Sequence, residues 1–482
     1  MNPATVIDGV RGAVVIGLQG LQAPILAYFL VINTSYLLLV LLAASGFVHH
    51  LRRIEHAGRD ETVASQFAPG ISILVPAYNE QAGIVASVQA MLSLRYPRHE
   101  IVVIDDGSTD ETFERLRDAF GLVAVDQELP TDVPVKARII DVWAPRDGRT
   151  RLIAVRKENS GKTDALNVGI NAASEPLVAM IDADSILDPD ALLTVAKPFA
   201  DDPLRTVATG GVIRAANGCT VIAGRIVNIR VPRQWLARIQ IVEYLRSFLL
   251  GRAGWSRLQA LILISGAFGL FRRDVLVEVD GLDTNSIGED FELVMRIHRH
   301  MRDSRRDYHV EFVAEPVSWT EVPTTLRVLR SQRRRWHRGL YEVLWKYRRM
   351  ALNPRYGRIG LLALPWFWAF ELFAPLLEFA GVVLVPAGLL LRVIDLGYAA
   401  LFLVLTYGYA IVVTLAAMAV EELSFHKYPR WRDLGALVLA AVVENLGYRQ
   451  LTAWWRLEGL WAGLRRATHV WGTMTRLGFD GG

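Results

Sequence analysis

Residues 100–110 read EIVVIDDGSTD, and this stretch decides the fold. Its four consecutive β-branched residues, IVVI, are typical of a strand that is buried on both faces, as in the parallel sheet of an α/β protein. An acidic turn that contains glycine follows at once. We therefore predict a buried strand whose carboxyl end carries chemistry.

Apolar runs of the same kind alternate with helical patterns through the middle of the chain. Strands are predicted at residues 71–76, 100–105, 151–155 and 177–182. Helices are predicted at residues 80–94, 109–120 and 163–173. This alternation predicts βαβ units and a mostly parallel sheet, and the ligands of such α/β sheets bind beyond the carboxyl ends of the strands.

Composition places this α/β unit between membrane segments. Hydrophobic residues make up 52% of the 482 residues and are concentrated near the two ends. Residues 23–48 are uncharged, long enough to cross a bilayer and long for the core of a signal peptide, which favours an anchor. The basic sequence HHLRR follows at residues 49–53, so the positive-inside rule predicts a cytoplasmic middle region.

A second apolar region covers residues 359–446. Spans are predicted at residues 372–391 and 399–420, joined by a turn at residues 394–397. Residues 361–370 are too short to cross and contain Pro365, which favours an interfacial helix, and residues 435–443 either cross obliquely or lie in the interface. The arginines after residue 448 favour a cytoplasmic C-terminus, which two crossings satisfy.

The charged residues and the single cysteine further limit the classes of protein to which this chain can belong. Glu371 and Glu378 are seven residues apart on one helix face, where they either line a polar path or, for Glu371, lie at the interface. The net charge of +4 is too small for a strongly basic face, so no nucleic-acid partner is expected. Cys219 is the single cysteine, which excludes an internal disulfide and fits a reducing compartment.

Polar residues follow the first two predicted strands. Pro76, Asn79 and Glu80 form a loop that either holds a base or ribose, or uses Asn79 to cap the next helix. In the second loop, Gly107, Ser108 and Thr109 are explained by a turn and a helix cap. A turn and a helix cap do not explain the adjacent carboxylates of Asp105 and Asp106, because these two groups repel each other and need hydrogen-bond partners or a cation. Such a pair fits a nucleotide-binding role.

Two further loops carry candidate groups for a sugar diphosphate. Asp182 and Asp184 follow a strand. Two carboxylates on one side of an extended chain can hold a divalent cation. The alternative is that this Asp-x-Asp sequence is only a solvated turn. Lys162 begins a helical pattern after Gly161 and either contacts phosphate or is an exposed loop lysine. Ser265 and Gly266 either let the backbone approach a sugar closely or form a plain strand or turn.

Acidic and basic groups follow later in the chain. Glu289 and Asp290 open a helix, where they either favour the helix dipole or, for Asp290, accept the proton of an attacking hydroxyl. Gln332, Arg335 and Trp336 lie in an arginine-rich segment that precedes the second apolar region. These basic residues either mark the inner membrane face, or place Arg335 on a diphosphate and Trp336 on an acceptor sugar.

The ordered set VPAYNE, DDGSTD, NSGKTDALN, DAD, GED and QRRRW resembles the processive family 2 glycosyltransferases, such as cellulose, chitin, hyaluronan and poly-N-acetylglucosamine synthases. The resemblance implies a Rossmann-like GT-A-type domain, inserted between transmembrane helices, that transfers a sugar with inversion to give a β-linkage. It also implies a role for each of these residues: Asp106 at the nucleotide, Asp182 and Asp184 on Mg²⁺ or Mn²⁺, Asp290 as general base, and Gln332, Arg335 and Trp336 at the acceptor and diphosphate.

The leading interpretation is therefore a multi-pass enzyme of the cell membrane that polymerises sugar from a nucleotide donor, UDP-linked by resemblance, on the cytoplasmic side and passes the glycan outward. The alternatives are a non-processive glycosyltransferase with a lipid acceptor and a non-catalytic export or polysaccharide-binding subunit. The sequence names neither the sugar nor any oligomeric or export partner. The expected segments are the anchor (1–55), the glycosyltransferase domain (56–323), the basic and interfacial region (324–358), the membrane helices (359–448) and an amphipathic tail (449–482).

Overall fold

The computed structural model describes residues 3–54, 68–148, 150–222, 224–390, 396–425 and 430–465. Arg466, the turn residues 391–395 and the side chains of Arg11 and of residues 49–53, which entered the topology prediction, lie outside what it describes. Gly397, placed in that turn by prediction, belongs instead to the helix Leu396–Leu403.

One ten-stranded sheet forms the centre of the described middle region. Its strands lie side by side in the order β3-β4-β5-β2-β1-β6-β11-β8-β12-β7, and β9 and β10 form a separate hairpin. The strands are β1 (Ile71–Ala77), β2 (His99–Asp105), β3 (Leu122–Val125), β4 (Ile139–Pro145), β5 (Leu152–Lys157), β6 (Leu177–Ile181), β7 (Ile186–Leu187), β8 (Thr206–Ala215), β9 (Thr220–Ile222), β10 (Arg225–Asn228), β11 (Phe268–Arg272) and β12 (His309–Thr320).

The four predicted strands, β1, β2, β5 and β6, are adjacent and parallel, which confirms the expected architecture. Across the whole sheet, seven strands run in one direction, while β4, β7 and β11 run against them. The strands β1, β2 and β6 are apolar runs with no exposed residue. Their carboxyl ends therefore meet at one edge of the sheet.

Helices cover the sheet and continue into the apolar regions. The α-helices are Pro3–Ile54, Ile84–Leu92, Thr112–Phe120, Lys162–Ala172, Ala191–Asp201, Trp235–Tyr244, Ala253–Arg257, Arg273–Glu278, Glu289–Asp303, Leu326–Lys346, Leu364–Trp366, Ala374–Leu390, Leu396–Leu403, Tyr409–Phe425, Trp431–Val443 and Arg449–Leu464. Wider π-helical turns join several of them, at Leu245–Arg252, Ile359–Ala363, Phe367–Leu372, Val404–Gly408 and Glu444–Tyr448, and short 3₁₀ turns lie at Arg348–Met350 and Pro354–Tyr356.

Three helices of the described part are long and apolar enough to cross a membrane: Ala23–Ser45, Ile359–Leu390 and Leu396–Leu423. The two C-terminal helices contain the spans predicted from the sequence. The segment expected to be a separate interfacial helix is instead the first part of Ile359–Leu390, with a bend at Phe373. The short helix Trp431–Val443 is not among the three, which agrees with two crossings after the sheet.

The apolar helices pack directly on the sheet domain. Leu39 from the first helix and Leu372 from the second belong to the same buried core as the central strands. The ring of Trp255 lies 5.2 Å from that of Trp366, and the ring of Phe291 lies 6.3 Å from that of Phe367. The candidate site is therefore built on a rigid junction between the sheet domain and the membrane helices.

Candidate active site

The loops after β1 and β2 are fastened to each other by Asn79. This residue has a positive φ of 56°, its side-chain Oδ1 accepts from the Thr109 N–H at 2.8 Å, and its own N–H donates to Ser108 Oγ at 3.0 Å. The expected helix caps are wrong: the following helices begin only at Ile84 and Thr112, and no side chain caps either of them. Asn79 holds two loops together because its amide reaches across the sheet edge.

The rest of this edge is less buried than the strands behind it. Pro76 is partly exposed opposite Ile104, and the N–H of Glu80 donates to Thr112 Oγ1 at 2.8 Å. Pro76 therefore lies near the end of β1, and Asn79 and Glu80 lie in the loop that follows it at the open edge. Their predicted contact with a base or ribose stays a prediction.

Asp106 lies in a buried polar network. Its Oδ1 pairs with Lys157 and accepts from the Ser160 N–H at 3.0 Å, and its Oδ2 accepts from the Gly161 N–H at 2.8 Å. Lys157 is fully buried and also lies 3.4 Å from Asp164. Both oxygens of Asp106 thus hold the loop before the helix Lys162–Ala172, and direct contact with the nucleotide stays a prediction.

Asp105 is also buried, but it has weaker partners. Its Oδ1 accepts from the Ser108 N–H at 3.1 Å, and Arg156 Nε lies 3.9 Å from Oδ2. Burial raises the pKa of Asp105, against the lowering effect of Ser108 and Arg156. The paired acids therefore differ: Asp106 is part of an internal ion network, and Asp105 is a desolvated carboxyl beside the β2 turn.

Lys162 follows the loop after β5 and contacts both the loop after β6 and the turn before β11. Its ammonium pairs with Asp182 Oδ1 and donates to the Gly266 carbonyl oxygen at 3.1 Å. The Gly266 N–H in turn donates to Asp290 Oδ2 at 2.9 Å. One connected cluster therefore contains four residues whose roles were predicted separately. Lys162 was predicted to contact phosphate, Asp182 to hold a metal, Gly266 to approach a sugar and Asp290 to act as the base.

A small cavity adjoins this cluster. Lys162, Ser265, Gly266, Glu289 and Asp290 supply its polar wall, and apolar residues from β6, β11 and the helix Glu289–Asp303 close its back. Residues 266 and 267 form a turn before β11, so the turn alternative for Ser265 and Gly266 is confirmed. A turn at this point lets Gly266 present both its N–H and its carbonyl oxygen to the site.

Charges in the cluster affect each other strongly. Burial lowers the pKa of Lys162, but Asp182, Glu289 and Asp290 outweigh it and hold that pKa above the ordinary value. Glu289 is buried, and burial together with Asp290 raises its pKa, against the lowering effect of Lys162 and Arg335. The lysine thus stays cationic, and it neutralises a site that is otherwise acidic.

The chain turns directly after β6, which differs from the extended Asp-Ala-Asp geometry that we expected. The carbonyl oxygen of Asp182 accepts from the Ser185 N–H at 3.0 Å. Ala183 is buried, whereas Asp182 and Asp184 are both partly exposed. The turn therefore still directs the two carboxylates away from the core.

The basic segment reaches this site through a contact between two glycines. A Cβ on Gly339 would lie 3.2 Å from Gly288 Cα, so the helix Leu326–Lys346 crosses the start of the helix Glu289–Asp303 at backbone distance. Arg335 lies one turn before Gly339 and exerts an electrostatic effect on Glu289. The predicted signature segment and the acidic cluster are therefore neighbours.

Trp336 stands at the exposed side of this crossing. Its side chain is 42% exposed, and the Arg333 guanidinium lies over its ring at 4.9 Å. Glu243 holds Arg333 at 2.6 Å and also accepts from the Tyr448 hydroxyl at 2.7 Å. Within the described residues, Gln332 Oε1 is buried without a hydrogen-bond partner, on the same helix face as Trp336.

Sequence reasoning missed several residues of this site. Lys157 and Asp164 sit in ordinary strand and helix patterns, and only the fold shows that Lys157 binds both Asp106 and Asp164. Arg252, whose pKa burial lowers to about 10, faces Asp290, and no motif marked it. Gly339 follows the Q-R-R-R-W segment by three residues, and it lies inside the helix Leu326–Lys346, whose bounds were not predicted from the sequence.

A mostly parallel sheet with acids at its carboxyl edge, beside a lysine and an arginine-rich helix, defines an α/β domain suited to an anionic substrate. Residues 69–339, more than half of the chain, match the family described as glycosyltransferase like family 2, and the chain belongs to that family. This match, together with the sheet, confirms the predicted family and the GT-A-type α/β architecture.

Curated relatives of this family include poly-β-1,6-N-acetyl-D-glucosamine synthases. The protein from Staphylococcus epidermidis is 30% identical over 279 residues, which are 58% of this chain and 56% of the relative. The protein from Staphylococcus aureus is 30% identical over 275 residues, 57% of this chain and 55% of the relative. The chain thus spans about half the length of these relatives. Together with the three apolar helices, the similarity indicates a membrane protein.

Solved structures with a similar chain path have lower sequence identity. A mannosyltransferase from Pyrobaculum calidifontis, in complex with GDP-Man and Mn²⁺, is 20% identical with a TM-score of 0.48, covering 88% of this chain and 99% of that one. Residues 1–349 of TarS from S. aureus, in complex with UDP-GlcNAc, are 14% identical with a TM-score of 0.37, covering 79% of this chain and 92% of that one.

Proposed function

We propose that this chain is a membrane-embedded, inverting glycosyltransferase that adds N-acetylglucosamine from its UDP-linked donor to a growing β-linked polysaccharide. The observation that carries the proposal is the connected set Lys162, Asp182, Gly266 and Asp290 beside the arginine-rich helix. The family supports the reaction class. The choice of sugar is supported by what the staphylococcal relatives are named for.

Asp290 is placed to act as the general base. Its two oxygens accept from the backbone N–H groups of Gly266 and Phe291, at 2.9 and 2.7 Å, which fixes the carboxylate without using all of its lone pairs. An acceptor hydroxyl in the cavity can therefore donate its proton to Asp290 as it attacks the anomeric carbon. Inversion follows from this single displacement, and no covalent sugar–enzyme bond is needed.

The turn after β6 fits a divalent cation. Asp182 and Asp184 are partly exposed, although Asp184 Oδ1 is itself buried, and carboxylate oxygens are the ligands that Mg²⁺ or Mn²⁺ prefers. Within the described residues, no three His, Cys, Asp or Glu side chains form a metal cluster, so the remaining ligands would come from the diphosphate and water. When bound, such a cation supplies charge neutralisation for the departing nucleoside diphosphate.

The helix Leu326–Lys346, which contains the Q-R-R-R-W sequence, is called the signature helix from here on. It would bind the acceptor and the leaving group. Arg335 is poised beside the acidic cluster to bind a diphosphate oxygen, and the exposed Trp336 ring can stack on a pyranose of the acceptor. Arg333 lies over the ring of Trp336 and is anchored by Glu243, which holds the ring in place. Gln332, on the same face, would hydrogen-bond to the acceptor sugar through its buried Oε1 region.

The donor base would lie against the loops after β1 and β2. Pro76, Asn79 and Glu80 present an open edge, and Asp105 lies directly behind it. Asp106 would act indirectly, because both of its oxygens hold the loop that leads to Lys162.

The membrane helices would place this chemistry on the cytoplasmic side and give the chain three crossings. Export of the polymer through these helices belongs to the same proposal. Glu371 and Glu378 of the second span pair with two arginines of the helix Arg449–Leu464, called the C-terminal helix from here on. Glu371 lies 3.3 Å from Arg456, and Glu378 lies 3.7 Å from Arg449.

The experiment uses the full-length chain, purified in detergent or nanodiscs, with Mg²⁺ or Mn²⁺ and each of four donors: UDP-N-acetylglucosamine, UDP-glucose, UDP-glucuronate and GDP-mannose. We expect turnover with UDP-N-acetylglucosamine and a ladder of long products on a sizing gel. Products of a single added sugar would contradict the polymerase. Turnover with another donor would contradict the sugar, and no turnover with any donor would contradict the enzyme.

Asp184→Ala tests the cation site separately. We expect the affinity for UDP in the presence of Mn²⁺ to fall by on the order of tenfold or more, because one of the two protein ligands is lost. UDP affinity without metal should change little. Isothermal titration with and without Mn²⁺ measures both, and an unchanged metal-dependent affinity would remove Asp184 from this role.

A further inference from the structure

The ammonium group of Lys162 occupies the position at which the site's acidic groups converge. It pairs with Asp182 Oδ1 and donates to the Gly266 carbonyl oxygen at 3.1 Å. Glu289 and Asp290 both act on it electrostatically. Its side chain and that of Asp182 are 25% and 28% exposed, so water and a ligand can reach the pair.

The two ends of Lys162 are held in different ways. Its backbone begins the helix Lys162–Ala172, directly after Gly161, whose φ is 97° and whose N–H is bound to the buried Asp106. Among the described residues, its ammonium end contacts Asp182 and the Gly266 carbonyl oxygen. A lysine stem has four rotatable carbons, so the ammonium can move by several ångströms while the helix start remains fixed.

Asp182 therefore has two possible cationic partners. A divalent cation on the Asp182 and Asp184 turn would bind an oxygen of Asp182 at about 2.1 Å. Lys162 already contacts Asp182 Oδ1, so a cation there would face a positive ammonium at short range. Like charges this close repel strongly at a partly buried site, so the cation and the ammonium compete for the same carboxylate.

We propose that Lys162 exchanges partners during donor binding: a cation that arrives on Asp182 displaces the ammonium, which then binds an oxygen of the donor's diphosphate. The inference rests on the proposed function and adds a positioning role for Lys162. Its consequence is that cation and nucleotide bind cooperatively, because the cation releases the ammonium that the diphosphate needs, and the diphosphate removes the competitor from Asp182.

The first experiment measures Mn²⁺ binding to the detergent-solubilised full chain without nucleotide, by electron paramagnetic resonance. Lys162→Met removes the competing cation at similar side-chain length, so we expect Mn²⁺ to bind on the order of tenfold more tightly. Lys162→Arg keeps a cation and should stay near wild type. Unchanged or weaker Mn²⁺ binding by Lys162→Met overturns the exchange.

Arg252→Met is the matched control for general electrostatics. Arg252 also adds a positive charge to the site, but it faces Asp290 rather than Asp182. We expect a much smaller effect on Mn²⁺ binding than for Lys162→Met. An equal effect would show that net charge alone, and not competition for Asp182, sets the affinity, and would also overturn the exchange.

The second experiment titrates UDP at saturating Mn²⁺. Lys162→Met should weaken UDP binding by on the order of tenfold, so the same substitution strengthens one ligand and weakens the other. An unchanged UDP affinity overturns the diphosphate contact. If the wild-type chain binds Mn²⁺ and turns over UDP-N-acetylglucosamine while Lys162→Met changes neither affinity, the exchange fails and the proposed function stands. Absence of Mn²⁺ binding even with UDP contradicts both.

Discussion

Glu289 and Asp290 are neighbours in sequence, yet their surroundings give them different chemistry. Asp290 is fixed by two backbone N–H groups, which hold its carboxylate in one orientation. Glu289 is buried, and burial raises its pKa. Two adjacent acids with such different surroundings can take different roles, one as the base and the other as a structural partner.

Asp290→Asn should abolish sugar transfer while donor binding persists. The amide oxygen can still accept from the Gly266 N–H, which keeps this bond while the one from the Phe291 N–H is lost, and asparagine cannot take a proton. We expect the transfer rate to fall by about 10²–10⁴-fold, with UDP affinity near wild type. Asp274→Asn, on the surface beside Arg272, is the control. Polymer yield close to wild type would exclude Asp290 as the base.

Glu289→Gln should stabilise the protein at neutral pH. A carboxyl whose pKa is raised by folding holds its proton more tightly in the native state, so its contribution to stability is greatest below its ordinary pKa and is lost as the pH rises through the raised value. Glutamine removes this loss. We expect a higher apparent melting temperature at pH 7.5, a gain that shrinks toward pH ~4.

The matched control for this substitution is Glu114→Gln, an exposed glutamate in the helix Thr112–Phe120. Its melting temperature should follow wild type at both pH values. A destabilised Glu289→Gln at neutral pH would mean that the electrostatic attraction of Glu289 to Lys162 and Arg335 outweighs the cost of its burial.

At the scale of elements, the site depends on how closely two helices cross. A Cβ on Gly339 would meet Gly288 Cα and N at 3.2 Å, and both are backbone atoms that cannot move aside alone. Gly339→Ala should therefore push the helix Leu326–Lys346 outward and move Arg335 away from the acidic cluster. We expect the rate of transfer to fall by on the order of tenfold to a hundredfold, because small misplacements in an active site are costly.

Gly435→Ala is the control for a helical glycine, since a Cβ there would meet nothing within 4 Å. Steady-state rates at varied donor concentration measure both variants. Wild-type kinetics for Gly339→Ala would show that the crossing can loosen without consequence for the site.

Elements with uniform burial were predictable, and elements that depend on distant partners were not. β1, β2 and β6 are apolar runs because both of their faces are covered, so their sequences alone identify them. β8 is just as buried but contains Gly210 and Gly211, which lower strand propensity; the space beside Gly211 is filled by Val317 of β12. That packing requires the sheet order, which local sequence does not contain.

The site was predictable in its membership but not in its connections. Lys162, Asp182 and Asp290 were found because each follows an apolar strand or opens a helix, where functional groups collect. The link between them passes through Gly266, whose N–H and carbonyl oxygen serve two different side chains. Backbone groups leave no trace in a sequence motif, which is why the lysine was not linked to the acids in advance.

At the scale of the whole molecule, two ion pairs set the register of the C-terminal helix. Glu371 meets Arg456 at 3.3 Å, and Glu378 meets Arg449 at 3.7 Å. Both spacings are seven residues in opposite directions, so the helix Arg449–Leu464 runs antiparallel to the second span. The Tyr36 hydroxyl donates to Glu371 at 2.9 Å and adds the first span to the same junction.

Arg456→Met tests this junction. The substitution leaves the Glu371 carboxylate without its cation among apolar helices, and the two side chains are 31% and 24% exposed, so water screens part of the loss. We expect a cost of about 1–3 kcal/mol, below that of a fully buried pair, seen as a lower apparent melting temperature in detergent. Arg465→Met, at the exposed end of the same helix, is the control and should melt near wild type.

The double variant Arg456→Met with Glu371→Gln decides whether the two residues act as a pair. With the carboxylate removed, no uncompensated charge is left at the junction, and stability should return most of the way to wild type. Costs that simply add would mean that the two residues act separately. Because the same helix carries Glu458, which binds Arg330 of the signature helix at 2.7 Å, a slipped register should also lower sugar transfer, and recovery of both properties together would tie the membrane helices to the active site.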